Sequence, residues 1–115
     1  MARGLSWGDI RLVEFGRPDK VRPVLVLART RALEALNAVM VAPITSTIRG
    51  NRTEVTLGVA EGLKGPSVAK LDGIQTIDKQ RLGRFLGSVP ASRVAELRRA
   101  VLFAMQLDAD ADLDS

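Results

Sequence analysis

The sequence predicts a small, mostly antiparallel β fold with some α: a compact barrel or curled sheet with one helix packed on it at the C-terminal end. Three observations carry that prediction. Between residues 9 and 89 run five to seven short apolar or alternating segments, each bounded by Gly, Pro or polar turn residues. Beyond Pro90 the period changes to that of a helix. Ten Gly and five Pro in 115 residues supply the tight corners that a curled sheet of short strands needs.

Each element follows from its residues. The segment DIRLVEF, residues 9–15, sets Ile10, Leu12 and, after a slip at Val13, Phe15 among charged residues. That is the alternation of a half-buried strand, bounded by Gly8 and by Gly16-Arg17-Pro18. Pro23-Val24-Leu25-Val26-Leu27 and Val39-Met40-Val41-Ala42-Pro43-Ile44 are apolar runs without alternation, which reads as strands buried on both faces. Between them Thr30 is placed to cap a short helix over residues 31–38. Residues 53–57 alternate as a strand, residues 58–66 form a Gly-rich connection, and residues 67–71, 74–77 and 84–89 complete the sheet. Val94, Leu97, Val101, Ala104 and Met105 then recur at helical spacing, with Arg93, Glu96, Arg98 and Arg99 mostly on the other side. Pro90 suits the first turn of that helix.

The length is that of one domain, taken as residues 1–107 with an acidic tail over 108–115. Apolar residues make up 46% and charged ones 26%, enough for a packed core, and a chain this short gains further burial by self-association. Cys and His are both absent. Disulfides, cysteine nucleophiles, Cys/His zinc sites and histidine acid–base pairs are excluded with them, so any catalysis runs on Arg, Lys, carboxylates, hydroxyls or a metal held by oxygen. The formal charge is +4, but Asp108, Asp110, Asp112 and Asp114 all stand in the tail. Over residues 1–107, seventeen Lys and Arg face nine Asp and Glu, a net +8. That balance suits a polyanion such as nucleic acid, and it suits plain solubility equally. No apolar run has the form of a signal peptide or the length of a membrane span, so a cytoplasmic protein with no membrane partner is expected.

Three local features carry candidate chemistry. In Val21-Arg22-Pro23 the proline biases Arg22 toward an extended conformation, so its guanidinium projects from a rigid edge and is suited to grip a phosphate with both arms. A solvated arginine at a strand start is the alternative. In Pro43-Ile44-Thr45-Ser46-Thr47 three hydroxyls follow a buried strand and precede the basic loop Ile48-Arg49-Gly50-Asn51-Arg52. Such hydroxyls donate to a phosphate or a developing oxyanion, or else close a turn on their own backbone. In the third feature, residues 71–82, Ile74 and Ile77 lie among charges and Asp78 is placed to cap a turn and pair with Arg81, a structural reading. The four aromatics, Trp7, Phe15, Phe85 and Phe103, read mostly as core. Base recognition is then left to hydrogen bonds and arginine planes instead of a stacking platform.

Four collinear blocks resemble, in order and spacing, the MazF/PemK toxin endoribonucleases over about residues 6–107. They are Trp7-Gly8-Asp9-Ile10, Arg22-Pro23-Val24-Leu25-Val26-Leu27, Pro43-Ile44-Thr45-Ser46 and Leu71-Asp72-Gly73-Ile74-Gln75-Thr76-Ile77-Asp78-Lys79. The resemblance implies an SH3-like antiparallel β-barrel of the CcdB/PemK type with a C-terminal helix, a homodimer, and a cognate acidic, MazE-like antitoxin as partner. It implies sequence-specific cleavage of single-stranded RNA, the mRNA interferase activity that arrests translation and growth. No cofactor and no metal are implied: the RNA's own 2′-hydroxyl attacks and leaves a 2′,3′-cyclic phosphate. The family's catalytic pair is the arginine of the Arg-Pro motif and the threonine after the following strand, which correspond here to Arg22 and Thr45. Arg17, Lys20, Ser46, Thr47, Arg49, Arg52, Asp72 and Gln75 are the candidate RNA contacts.

The residues suit that chemistry. Positioning a 2′-hydroxyl and neutralising a pentavalent phosphorane needs chiefly a guanidinium and hydroxyl donors. Arginine as a side-chain type keeps its proton at ordinary pH. Proton removal therefore falls to a nearby carboxylate, to water, or to Arg22 itself, and Asp19 and Glu14 are the carboxylates to test. The chain departs from the family where Gly73 and Gln75 replace its frequent Gln and Arg or Lys, and where the loop before Arg22 is shorter, so no cleavage motif is carried over. Two other readings compete. One is a gyrase-poisoning toxin of the same fold, against which stands a C-terminal end, residues 107–115, with four aspartates and no aromatic. The other is a non-catalytic RNA-binding barrel.

Overall fold

The structure, a computed structural model, describes residues 5–14, 21–29, 35 and 37–108. Seven strands, β1 Asp9–Glu14, β2 Val21–Val26, β3 Ala38–Thr45, β4 Glu54–Leu57, β5 Ser67–Lys70, β6 Gln75–Asp78 and β7 Leu82–Ser88, precede the helix α1 Val94–Ala104. Every pairing is antiparallel, and the sheet order is β4-β5-β3-β2-β1-β7 with β6 beside the first half of β3. The expected curled sheet with a C-terminal helix is what these residues form. The short helix expected over residues 31–38 falls mostly outside the described residues, and Ala38 opens β3.

β2 and β3 show why their sequences lack alternation. Successive side chains point to opposite faces of a strand, and here both faces are covered. Val24, Val26, Val39 and Val41 belong to one buried cluster, while Leu25, Ala42 and Ile44 belong to the other with Ile10, Val55, Leu57, Leu97 and Ala100. The slip at Val13 has the same cause: out of phase with Ile10, it is buried in the first of these clusters.

β3 changes neighbours along its length. Ala38–Val41 pair with β6 and Ile44–Thr45 with β5, while residues 41–43 pair with β2 on the other edge. The β2–β3 ladder ends at Val24↔Pro43. A proline nitrogen has no hydrogen to donate. With Pro43 at the last pair and Pro23 one residue further along β2, each strand has lost a donor where the two part.

The sheet curls back on itself through the residue 58–66 connection. It contains a 3-10 turn, Val59–Glu61, that its Gly-rich composition does not announce, and it lies against β7. Gly62, at φ 92°, and Gly87 make this approach possible: a Cβ on Gly62 would stand 2.1 Å from the Leu86 carbonyl oxygen, and one on Gly87 2.1 Å from that of Glu61. An alanine at Gly87 would force two backbones apart, at about 1–3 kcal/mol.

Arg93 fastens the helix end to the same place. It closes the 3-10 turn Ala91–Arg93 just before α1, and its Nη2 donates to the Thr56 carbonyl at 2.7 Å and to Glu96 Oε2 at 2.9 Å. Its Nε donates to Glu96 Oε1 at 3.0 Å, and Nη1 lies 3.8 Å from Oε2 of the buried Glu61. Glu61 Oε1 in turn accepts the Gly58 N–H at 2.6 Å. The Arg93 hydrogen bonds hold the Glu96 carboxyl below its ordinary range. Further along α1, Leu97 and Ala100 are spent on the core.

Candidate active site

Where β2 and β3 part, the strand ends surround a groove of ≈ 1110 Å³. Its rim passes from Arg84 and Leu86 on β7, past Leu12 on β1, to Arg22 and Pro23 on β2, then Ile44 and Thr45 on β3. Ser46, Thr47 and Ser67 follow, and the loop Leu63-Lys64-Gly65 returns the rim to β7. Most of the buried and half-buried lining is apolar, with Ile44, Leu63, Leu12, Pro23 and Leu86 among it. The charged lining residues, Ser46 and Thr47 are exposed, Thr45 and Ser67 are half-buried, and among the described lining residues stand three cations and four hydroxyls but no carboxylate. An apolar floor under a cationic, hydroxyl-rich rim suits a polyanion whose bases turn inward and whose phosphates stay at the edge.

Arg22 and Thr45 hold corresponding places on this rim. Continuing the β2–β3 register two steps past Val24↔Pro43 brings Arg22 opposite Thr45, across the gap where the ladder has stopped. Each is anchored by a different neighbour: Val13↔Arg22 closes on β1 and Thr45↔Val68 on β5. Arg22 is exposed, and its Nη1 donates a long 3.3 Å bond to the Val21 carbonyl. Thr45 Oγ1 accepts the Thr47 N–H at 3.1 Å. That bond satisfies the turn-closing reading of the threonine without opposing the chemical one, since it uses an oxygen lone pair and leaves the hydroxyl proton to donate.

Of the residues singled out in the sequence, the structure gathers Arg22, Thr45, Ser46 and Thr47 on one rim. Glu14 continues the row of Ile10 and Leu12 on β1, paired with Val21 and exposed just beyond the lining. The basic loop folds back on β4 instead: the backbone N–H groups of Arg49 and Gly50 donate to Glu54 Oε1 at 3.2 and 2.9 Å. Arg52 stands over the Phe103 ring, 4.1 Å from its centre. Gln75 is exposed on β6 opposite Val41, and Asp72 lines a separate groove beside α1. Arg17, Asp19 and Lys20 lie outside the described residues. Asp78 caps the 3-10 turn Lys79–Arg81 by accepting the Gln80 N–H at 2.9 Å, the structural role its sequence suggests.

Lys64, Ser67 and Arg84 are the lining residues that sequence reasoning missed. The signal for Arg84 lay in its alternation with Leu86, and that for Lys64 in a lysine held between Gly62 and Gly65-Pro66. The Trp7-Gly8-Asp9 block turns out to be framework. Asp9 is fully buried and its Oδ2 accepts the Ser6 N–H at 2.9 Å, while Gly8 bridges Val26 and Val89 through backbone bonds of 2.8 and 3.0 Å.

The separate groove, ≈ 700 Å³, runs between α1 and the sheet and is lined by Trp7, Leu27, Met40, Leu71, Ile74, Leu97, Val101 and Met105, with Asp72 and Arg98 among its polar members. Met40 and Met105 are 48% and 59% exposed there, an unusual expense of apolar surface.

The strand arrangement recurs in a known group of proteins. Residues 6–105 match the sequence model of the family described as PemK-like, MazF-like toxin of type II toxin-antitoxin system. Over 99 residues, 86% of this chain and 96% of the relative, the sequence is 42% identical to endoribonuclease MazF3 of Mycobacterium tuberculosis. The fold is similar to that of the M. tuberculosis toxin MazF-mt6, with a TM-score of 0.81 at 42% identity over 87% of this chain and 98% of that one. It is also similar to a MazE-MazF crystal structure from Deinococcus radiodurans, with a TM-score of 0.76 at 25% identity over 93% and 100% of the two chains. Matched over nearly its whole described length in sequence and in strand arrangement, the chain belongs to the PemK-like, MazF-like toxin family of type II toxin–antitoxin systems.

Proposed function

We propose that the protein is a metal-independent endoribonuclease that cuts single-stranded RNA at its groove, the toxin of a toxin–antitoxin pair. The observation that carries this reading is the placement of Arg22 and Thr45 at facing register positions on a rim lined by cations and hydroxyls. The scissile phosphate sits between them. The 2′-oxygen of the preceding ribose attacks phosphorus, forming the P–O2′ bond, and the P–O5′ bond breaks, giving a 2′,3′-cyclic phosphate and a 5′-hydroxyl. The planar Arg22 fork neutralises charge on the equatorial oxygens of the phosphorane, and the Thr45 hydroxyl donates to one of them. The 2′-proton passes to water or to a carboxylate, for which Glu14, two residues beyond the lining Leu12, and Asp19 are the candidates, and a proton from water completes the 5′-hydroxyl.

Self-association fits the second groove, where a second copy covering Met40 and Met105 would extend a small core. The relatives named above include a MazF with its MazE partner, and an acidic antitoxin segment is the matching ligand for a chain with a +8 body. Among the described residues no helix is long and apolar enough to cross a membrane, and the cytoplasm, where RNA and antitoxin are made, is the proposed location.

Incubation with a long RNA in EDTA tests the reading. Cleavage should persist, with cyclic phosphate on the upstream fragments. Loss of cutting on chelation, restored by a divalent ion, would overturn the mechanism, and intact RNA under all conditions would leave a binding protein.

A further inference from the structure

We infer that Lys64 and Arg84 hold the backbone phosphates that flank the scissile one, and so fix where along the strand the RNA is seated. The inference rests on the proposed RNA substrate and deepens it. Both residues are exposed and line the same groove as Arg22 and Thr45. Among the described residues neither side chain has a hydrogen-bond or ion-pair partner, and no described carboxylate lines the groove to neutralise them. Cations gathered along a wall that has no described carboxylate raise the local positive potential, which favours an arriving anion.

Their placement is rigid. Arg84 projects from β7 on the face it shares with Leu86, and β1 alone separates β7 from the β2 strand that carries Arg22. Two strand spacings are about 10 Å, a reach that fits phosphates on neighbouring nucleotides of an extended strand and not two oxygens of one phosphate. Lys64 belongs to the loop that is pressed onto β7 by the Gly62 and Gly87 contacts and backed by the Arg93–Glu61 pair. Its backbone is thus held at the closure of the rim, on the side of the groove that continues into Ser67 and β5. Along the rim Arg84 thus lies on the β1 side of the Arg22–Thr45 centre and Lys64 on the β5 side. Contacts to flanking phosphates are equally strong in the ground state and the transition state, so they act on KM and leave kcat nearly alone.

The test uses the full chain and a fluorescein-labelled, mixed-sequence oligonucleotide that is 2′-deoxy throughout, with affinity read by anisotropy over a range of salt. Each phosphate contact contributes about 0.7 to the slope of log K against log salt for a single strand. Lys64→Gln and Arg84→Gln should each flatten the slope by about 0.7, the double variant by about 1.4, and Arg84→Lys should keep the slope of the unaltered protein. Arg99→Gln, the same charge change on an exposed helix residue away from the groove, should leave it unchanged. With an all-ribose substrate, both groove variants should raise KM while kcat stays within about twofold. Unaltered slopes in the groove variants, equal flattening by Arg99→Gln, or no binding of the deoxy strand by the unaltered protein would each overturn the inference. If binding shows the expected slopes but ribose RNA is never cut, the phosphate contacts stand and the proposed catalysis falls.

Discussion

The two grooves of this molecule are built on one sheet and differ in almost every respect. At the open end, two prolines stand where the β2–β3 ladder stops, five strands contribute lining residues, and the rim carries Arg22, Lys64 and Arg84 without a described carboxylate. Beside α1, the helix brings Val94, Leu97 and Val101 down on the sheet, and what is left open is apolar, with Met40 and Met105 exposed. The first groove keeps charge unspent and the second keeps hydrophobic area unspent. A polyanion satisfies the one and a protein surface the other, which is why RNA and a second copy of the chain are assigned to different places.

The largest effect expected belongs to the open end. Arg22→Lys retains the positive charge and loses the bidentate fork, so the cleavage rate should fall by on the order of 10²–10³ while RNA affinity changes little. Thr45→Ala should fall in the same range or somewhat below it, since Ser46 and Thr47 stand beside it on the rim. An Arg22→Lys variant that cuts at full rate would reduce this groove to a binding surface.

At the apolar groove the effect should appear in assembly and not in chemistry. Met40→Glu places a charge on a position that is 48% exposed in the single chain, so folding should tolerate it within about 0.5 kcal/mol. The proposed dimer should weaken at least tenfold, read by light scattering at micromolar concentration. A variant that stays as dimeric as the unaltered chain would move the interface elsewhere.

The smallest effect expected tests the link between the two ends, the Arg93 clamp. Hydrogen bonds from Arg93 hold the Glu96 carboxyl below its ordinary range. A carboxylate whose folded value is depressed adds stability that is fully present above its unfolded pKa, about 4.3, and is lost as pH falls through the lower folded value. Glu96 is well exposed, so solvent screens the pair. Glu96→Gln should lower Tm at neutral pH by about 2 °C or less, and the two proteins should converge as acid removes the difference. A gap that widens in acid would contradict the assignment.

Much of the fold was legible because its signals are local. The unalternating runs at β2 and β3, the alternation of β1 and the helical period after Pro90 each report a face that must be buried. Arg22 and Thr45 were reachable through the motif blocks that surround them. Lys64 and Arg84 were not, because they enter the groove only when the residue 58–66 loop meets β7, and that contact joins segments more than twenty residues apart through backbone atoms at Gly62 and Gly87. Arg52 is placed differently from Lys64 and Arg84. Its charge and its loop make it a candidate ligand contact, and the structure sets it outside the groove lining, over the ring of Phe103, a contact that the local sequence does not announce.

In the proposed reaction the groove cuts RNA by transferring phosphorus to the substrate's own 2′-oxygen between Arg22 and Thr45. An oligonucleotide that the protein cleaves, resynthesised with a single 2′-deoxy sugar immediately 5′ of the scissile phosphate, addresses it directly. The deoxy substrate should bind with unchanged affinity and remain intact at that bond while its ribose parent is cut to a 2′,3′-cyclic phosphate. Cleavage of the deoxy bond at an undiminished rate would show that water or a side chain attacks, and the roles given to Arg22 and Thr45 would have to be abandoned.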